Sequence, residues 1–249
     1  TLFPYTTLFR STEVRLDPAR LRPYDVEPTL RYANSEVGLW LCQTRIVGAS
    51  CRWDPSSGKP KSDVSALSVV LQDDLGRRYW HRAVQLTGDV AEFSEDGKQI
   101  IGGQVLQIVA VVKALAIPRV TIETNGIGKF APTVLKAAFK QQKPQIVCGV
   151  TEDNAVANKN KRILEAIEPP LTSGTLWAHV SVLEAVWDHM RDWNPAVQDQ
   201  PDDHLDAAAG AIAEAPERIG RVGPVWNQTA GPVNDWRPSA GVHEVEFES

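Results

Sequence analysis

The sequence predicts an α/β protein with a mixed sheet, in which three antiparallel strands come first and parallel strands flanked by helices follow. Three short apolar segments at residues 46–51, 64–71 and 79–86 are separated by stretches rich in Gly, Asp, Pro and Ser, which is typical of an antiparallel meander. Farther along the chain, helical periodicities alternate with short apolar runs, as in strand–helix–strand units. The two patterns together predict a single mixed sheet.

The strands of the predicted meander end at recognisable signals. The strand at residues 46–51 stops before Trp53-Asp54-Pro55, because proline cannot take part in a strand ladder. The next loop is rich in Ser, Gly, Lys and Pro, which favours a connection between two strands. The sequence DDLG at residues 73–76 predicts the turn into the third strand, whose side chains alternate between two faces.

The second half of the sheet is predicted from helices that alternate with strands. Residues 100–115 carry apolar side chains at helical spacing, and Pro118 closes this helix. A strand at Arg119–Glu123, a helix at 130–139 and a strand at 145–150 predict a parallel, right-handed unit. Three later helices are predicted at residues 158–167, 182–193 and 202–215, with a short extended piece after a Ser-Gly turn within 171–180.

The chain length and the local composition suggest one globular domain with extended ends. A chain of 249 residues is long enough to bury one good core. We predict this domain at residues 30–216. Residues 1–29 are predicted to be a non-native or linker segment, since 1–11 resemble translated adapter sequence and 12–28 are charged and interrupted by proline. Residues 217–249 are rich in Gly and Pro without periodicity and are predicted to form an extended tail.

The composition excludes some classes of protein. The net charge of −5 argues against nucleic-acid binding by bulk charge, so any such contact must be local. Cys42, Cys51 and Cys148 lack metal-site spacing and are expected to be reduced thiols, as in a reducing compartment. No apolar run reaches the length of a membrane span, and the N-terminus lacks the order of a signal peptide.

Acidic residues fall where the predicted elements meet. Asp54 follows the first strand, Glu123 ends the fourth, and Asp203 and Asp206 are three residues apart, so they share one face of a helix. Asp202 is expected to cap that helix. Because ligands bind at the carboxyl edge of such sheets, these carboxylates are predicted to converge there. Their mutual repulsion indicates a divalent cation, and hard oxygen ligands suit Mg²⁺ or Mn²⁺.

Five segments, in this order, resemble the nuclease domain of the large terminase subunits of tailed bacteriophages. They are WDP at Asp54, the following SDVSALSVV, VTIETNGIGKF around Glu123, NKNKRILEAIEPPLTSGTLWAH, and DDHLDAAAGAIA. The resemblance covers about residues 39–215 and implies the ribonuclease H-like fold. It also implies a metal-dependent endonuclease that cuts concatemeric viral double-stranded DNA during genome packaging. Two Mg²⁺ or Mn²⁺ ions would be held by catalytic carboxylates, namely Asp54, Glu123, Asp203 and Asp206.

The same resemblance suggests roles for neighbouring residues. Lys159, Lys161 and Arg162 form a basic cluster that follows the acidic edge in the family order, and they are predicted to contact DNA phosphates. Asp63 and His204 are candidates for supporting the metal ligands rather than binding the ions themselves.

Partners and location also follow from the resemblance. Double-stranded DNA, the portal protein, the small terminase subunit and an ATPase motor are the expected partners, in the host cytoplasm during virus assembly. The printed sequence has no G-x-x-x-x-G-K-[ST] phosphate loop. We therefore expect the motor on a missing part of the protein or on another chain.

Other interpretations remain open at the level of sequence. Asp54 and Glu123 could be turn residues, Asp203 and Asp206 could be acids favoured by a helix dipole, and His204 could be solvated. Trp53 and Trp80 are expected to lie in the core rather than to stack on bases. For the whole domain, the alternatives are a Holliday-junction resolvase or another ribonuclease H-like nuclease, or a non-catalytic assembly module of the packaging machinery.

Overall fold

The fold is an α/β structure built on one large mixed sheet. The computed structural model describes residues 14–33, 36–56, 65–124, 129–154, 158–197 and 200–219. The strands are β1 (Arg22–Tyr24), β2 (Thr29–Ala33), β3 (Glu36–Leu41), β4 (Thr44–Asp54), β5 (Ser65–Asp73), β6 (Arg78–Leu86), β7 (Glu92–Phe93), β8 (Ile100–Gly102), β9 (Arg119–Glu123), β10 (Gly149–Asp153), β11 (Leu176–His179) and β12 (Glu217–Arg218). The helices are α1 (Gln104–Leu115), α2 (Ala131–Gln141), α3 (Lys159–Thr172), α4 (Val180–Asp192) and α5 (Asp203–Ala213), and a 3-10 turn spans Pro18–Arg20.

The predicted antiparallel meander forms the middle of the sheet. β4 pairs with β5 and β5 with β6, all antiparallel. β9 joins the carboxyl half of β4 in parallel, and β10 joins β9 in parallel. On the other side, β11 is parallel to β6 and β1 is parallel to β11. The amino half of β4 carries β3, which pairs with β2 in an antiparallel ribbon. The predicted mixed sheet is thus confirmed.

Each face of the sheet has its own hydrophobic core. Side chains of α1 and α2, such as Ile108 and Leu135, pack on one face, and α3, α4 and α5 pack on the other. Trp53 and Trp80 lie in these two cores and are fully buried, as predicted. In the described ranges, we find no helix that combines the length and the apolar character needed to cross a membrane.

Two predicted elements have different bounds in the structure. The helix predicted over 100–115 starts only at Gln104, because Ile100–Gly102 pair with β7 and Gly103 has a φ of 89°. The strand predicted over 145–150 is instead β10 at Gly149–Asp153, whose register with β9 places Asp153 opposite Glu123. This shift brings a further carboxylate to the end of the sheet.

The helix predicted to end at residue 167 continues to Thr172. Pro169 and Pro170 lie in its last turns and contribute carbonyl groups, which accept hydrogen bonds from the backbone N–H groups of Ser173 and Thr175 at 3.0 Å. Proline interrupts a helix through its missing N–H and its ring, and both costs are smaller near a helix end than in the middle. The extended piece that was expected after the Ser-Gly turn is β11.

Residues at both ends of the predicted domain belong to it. Leu16 and Leu21 are buried in the core beneath α4, and β1 pairs with β11, so residues 14–28 are not the linker predicted for them. At the other end, β12 pairs with β4 and Ile219 is buried, so 217–219 are not part of an extended tail. The reason is long-range pairing, which local composition does not reveal. Residues 1–13 and 220–249 lie outside the described residues, and the linker and tail assignments stay predictions there.

The two possible boundaries of the tail predict different stabilities. Ending the chain after Ile219 is expected to leave the melting temperature unchanged. Ending it after Ala215 removes β12 and Ile219, whose burial contributes about 1.5–3 kcal/mol, and should lower the melting temperature by roughly 3–12 °C for a domain of this size. Differential scanning fluorimetry of the two shortened chains tests this. Equal destabilisation by both would mean that residues 220–249 pack on the domain.

Candidate metal centre

Three acidic side chains meet where β4, β9 and α5 come together. Asp54 and Glu123 are the last residues of β4 and β9, and Asp206 lies in the first turn of α5. One carboxylate oxygen of each lies within 4.8 Å of those of the other two. Because β4 and β9 are parallel neighbours, their carboxyl ends are adjacent, and α5 packs across β4 and β5. The structure therefore brings together three of the four predicted ligands.

The remaining predicted ligand, Asp203, is the first residue of α5, in the same turn as Asp206, and is not in this group of three. It is 3.5 Å from the Nζ atom of Lys159. Asp202 occupies the N-cap position of α5, but its side chain makes no capping hydrogen bond. It binds Lys159 at 2.6 Å instead, which corrects the capping role predicted for it.

Burial and crowding raise the pKa of two of the clustered carboxyl groups, Asp54 and Asp206. Burial, together with the charges of Glu123 and Asp206, raises the pKa of Asp54 from 3.8 to about 7. Burial also raises the pKa of Asp206, although the guanidinium of Arg162 opposes this shift. The cluster thus carries unfavourable negative charge near neutral pH. Clustered carboxylate oxygens are ligands that suit a hard divalent cation.

Two of the three predicted DNA-contacting residues point into the acidic cluster. Arg162 donates hydrogen bonds from one nitrogen to both oxygens of Asp206, at 2.5 and 2.6 Å, and lies 3.5 Å from Glu123. Lys159 is 3.9 Å from Asp206. In this structure both cations offset the charge of the acids, and their contact with DNA stays a prediction.

Lys161 is placed differently from its two basic neighbours. Its side chain is 70% exposed and forms a surface ion pair with Glu165 at 3.7 Å. It lines an open groove of about 440 Å³ beside α3. Further side chains of this groove are Arg78, Arg162, Glu165, Ala166, Pro169, Pro170, Ile212 and Ala213. Arg162 lines this groove and also contacts the acidic cluster.

Of the two residues predicted to support the ligands, the one that the structure describes, His204, is not in the cluster. His204 is buried, and its ring stacks on His189 of α4, with ring centroids 5.8 Å apart. Two positions along a helix correspond to a rotation of about 200°, so His204 and Asp206 lie on different faces of α5. Burial lowers the pKa of His204, which favours the neutral imidazole. Asp63 lies outside the described residues.

Residues that sequence reasoning missed surround Glu123. Arg52 forms ion pairs with Glu123, Asp153 and Glu214 at 3.2, 2.7 and 3.3 Å. The sequence does point to Arg52, because this charged residue interrupts an apolar strand two residues before Asp54 and therefore lies on the same face of β4. Asp153 was missed because the end of β10 was predicted too early.

Comparison with known proteins shows what this chain resembles. Residues 71–176 match the family model described as "Terminase Bacteriophage T7, Ribonuclease H-like domain". The P22 large terminase nuclease domain is similar in structure, with a TM-score of 0.50 and 14% identity over 81% of this chain and 91% of that chain. At this identity the structural likeness establishes the fold.

Two further solved structures show weaker likeness. The nuclease domain of the large terminase subunit gp2 of bacterial virus Sf6 has a TM-score of 0.46 and 11% identity over 68% of this chain and 89% of that chain. The yeast mitochondrial Holliday junction resolvase Ydc2 has a TM-score of 0.40 and 10% identity over 68% of this chain and 78% of that chain. No match was found among curated proteins. The chain is therefore similar to a terminase ribonuclease H-like domain over residues 71–176, and it shares the ribonuclease H-like fold.

Proposed function

We propose that this chain is a metal-dependent endonuclease that cuts concatemeric viral double-stranded DNA during genome packaging. The observation that carries the proposal is the convergence of Asp54, Glu123 and Asp206 at the end of the sheet of a terminase-type domain. Structural ion pairs could explain Asp206, which binds Arg162, but they do not explain Asp54. Among the described residues Asp54 has no ion pair, and its carboxyl group lies buried beside two other acids.

The described residues fit a Mg²⁺ or Mn²⁺ centre. Asp54, Glu123 and Asp206 would hold an ion, and Asp203 is proposed to serve a second ion from the first position of α5. When bound, such ions activate a water molecule and stabilise the leaving oxygen of a phosphodiester. The pKa of Asp54 is raised first by burial and then by repulsion from Glu123 and Asp206, and cations at this position would offset that repulsion.

The side chains of the site supply charge and position rather than base recognition. Asp54 must lose its proton to act as a ligand. Lys159 and Arg162 lie beside Asp206, where their side chains could reach a phosphate group bound at the metal centre. In-line displacement would leave 5′-phosphate and 3′-hydroxyl ends. Because carboxylates at this edge do not read base edges, cleavage is expected to show little sequence preference.

The wider setting is proposed from the family. The domain would act with the portal protein, the small terminase subunit and an ATPase motor in the host cytoplasm during virus assembly. The terminase family match supports this setting.

A cleavage assay tests the proposed function. Supercoiled and linear duplex DNA are incubated with the protein in Mg²⁺, in Mn²⁺ and in EDTA, and the ends are mapped. We expect cleavage only with metal, at many sequences, leaving 5′-phosphates. Preference for a four-way junction over linear duplex would favour a resolvase. Absence of both cleavage and Mn²⁺ binding by calorimetry would favour a non-catalytic assembly module.

A pair of lysine variants tests the groove beside α3 as the DNA contact. Lys161→Ala should weaken binding of all duplex sequences equally and reduce the salt slope of log K by about 1, as expected for one lost phosphate contact. The matched control is Lys140→Ala, which removes an exposed lysine from α2 on the opposite face of the sheet. Salt-dependent fluorescence anisotropy measures both. Equal effects of the two variants would mean that Lys161 contributes only general charge.

A further inference from the structure

Arg52 is a charged residue in the buried half of β4. Its side chain is only 4% exposed, and it lies on the same face of β4 as Asp54. A buried guanidinium is costly unless carboxylates and hydrogen bonds surround it. Its position beside the acidic cluster therefore requires an explanation.

The guanidinium of Arg52 joins three elements that end near the site. It contacts Glu123 of β9, Asp153 of β10 and Glu214 after α5. Glu214 is held in turn by the hydroxyl of Thr121 at 3.1 Å. Neither Asp153 nor Glu214 is in the group of three candidate ligands. These two acids anchor Arg52, and Arg52 contacts the candidate ligand Glu123.

The opposing helix is adapted to this arginine. Gly210 of α5 faces Arg52 so closely that a Cβ atom at position 210 would collide with Cδ and Nε of the arginine. Glycine is a poor residue for a helix interior. Here it provides the space in which the guanidinium is held.

We propose that Arg52 is a positioning residue that fixes the carboxylate of Glu123 for metal binding. This inference rests on the proposed function. A glutamate side chain has several rotatable bonds, and the planar fork of an arginine anchored by two other acids restricts them. Arg52 contacts the Oε2 atom of Glu123, as Arg162 does. Outer partners of metal ligands commonly contribute 10–100-fold to metal affinity or activity.

Three variants separate positioning from a purely structural role. Arg52→Met removes the guanidinium group, and Arg52→Lys keeps the positive charge without the planar group. Gly210→Ala keeps every charge but displaces the Arg52 side chain. Arg119→Met is the matched control, since Arg119 begins the same strand as Glu123 and pairs with the partly exposed Glu217. Melting temperatures in EDTA establish that each protein is folded at the assay temperature.

Mn²⁺ affinity measured by calorimetry is the primary measurement. We expect about 10–100-fold weaker binding for Arg52→Met and Gly210→Ala, partial recovery for Arg52→Lys, and wild-type affinity for Arg119→Met. The KM for DNA should change little, while the Mn²⁺ concentration for half-maximal cleavage rises. In a Glu123→Gln background, the effect of Arg52→Met should largely disappear, because both changes act on one ligand.

The outcomes are distinguishable. Wild-type or tighter Mn²⁺ binding by Arg52→Met and Gly210→Ala overturns the positioning role, as does an unchanged effect of Arg52→Met in the Glu123→Gln background. If Arg52→Met does not fold, Gly210→Ala decides the question, because alanine is the better helix former. A wild-type protein that neither binds Mn²⁺ nor cuts DNA overturns the proposed function itself, and the inference with it.

Discussion

Asp54→Asn is expected to abolish DNA cleavage while the fold stays intact. Asp54 ends the central strand β4 and contributes one of the three carboxylates that lie within 4.8 Å of one another. An amide is a weaker ligand for a hard cation than a carboxylate and carries no charge. Plasmid cleavage in Mg²⁺ and in Mn²⁺ measures the loss. Asp74→Asn makes the same chemical change at an exposed turn and should cut normally.

The same variant should be more stable than the wild type in EDTA. The pKa of Asp54 rises from 3.8 to about 7 on folding, which corresponds to a cost on the order of 4 kcal/mol for the ionised group at alkaline pH. The folded wild type binds more protons than the unfolded chain between these two values, so its stability falls as pH rises through this window. The advantage of Asp54→Asn should therefore be largest above pH 7 and vanish below about pH 4.

Added Mn²⁺ should reverse this order of stability. Metal that binds only the folded protein stabilises it by mass action, and the wild type should gain more than Asp54→Asn. The Mn²⁺ affinity of the wild type should weaken as pH falls below about 7, since Asp54 must then lose a proton to bind the ion. A variant that cuts at the wild-type rate removes Asp54 from the mechanism. An inactive variant that melts lower in EDTA, with an unchanged Mn²⁺ response, would make Asp54 a structural turn residue.

The parts of the site predictable from sequence are those fixed by strand ends. Pro55 marks the end of β4, so the position of Asp54 follows from local chemistry, and the apolar run before Glu123 does the same for β9. A parallel pairing of these two strands then suffices to bring the two acids together. The position of Asp206 does not follow from strand ends alone, because the packing of α5 on the sheet decides which side of the helix faces Asp54.

Residues whose role depends on tertiary packing could not be assigned in the same way. Lys159 and Arg162 lie in a polar segment, and the sequence does not show whether their side chains face solvent or an acidic cluster. The spacing of Asp203 and Asp206 does not show which of the two is the metal ligand, since residues three apart lie on the same face of a helix. Leu16 is buried through contacts with α4, which lies far along the chain, and no local periodicity indicates that contact.

Asp206→Asn and Asp203→Asn are expected to differ strongly. The side chain of Asp206 is 5% exposed and belongs to the group of three, whereas that of Asp203 is 19% exposed and lies outside it. Asp206→Asn should lose cleavage and Mn²⁺ affinity to the extent that Asp54→Asn does. Asp203→Asn should keep measurable activity and need more Mn²⁺ to reach it, as expected for a carboxylate that serves a second, weaker ion.

Melting temperatures in EDTA provide an independent check on this difference. The charge of Asp206 is partly offset by two short hydrogen bonds from Arg162, while Asp54 has no ion pair among the described residues. Removing the charge of Asp206 also leaves Arg162 without its main partner. Asp206→Asn should therefore raise the melting temperature less than Asp54→Asn, even though both abolish cleavage. If Asp203→Asn is the inactive variant and Asp206→Asn cuts DNA, α5 presents Asp203 to the metal, and the arrangement of Asp54, Glu123 and Asp206 is not the metal-binding state.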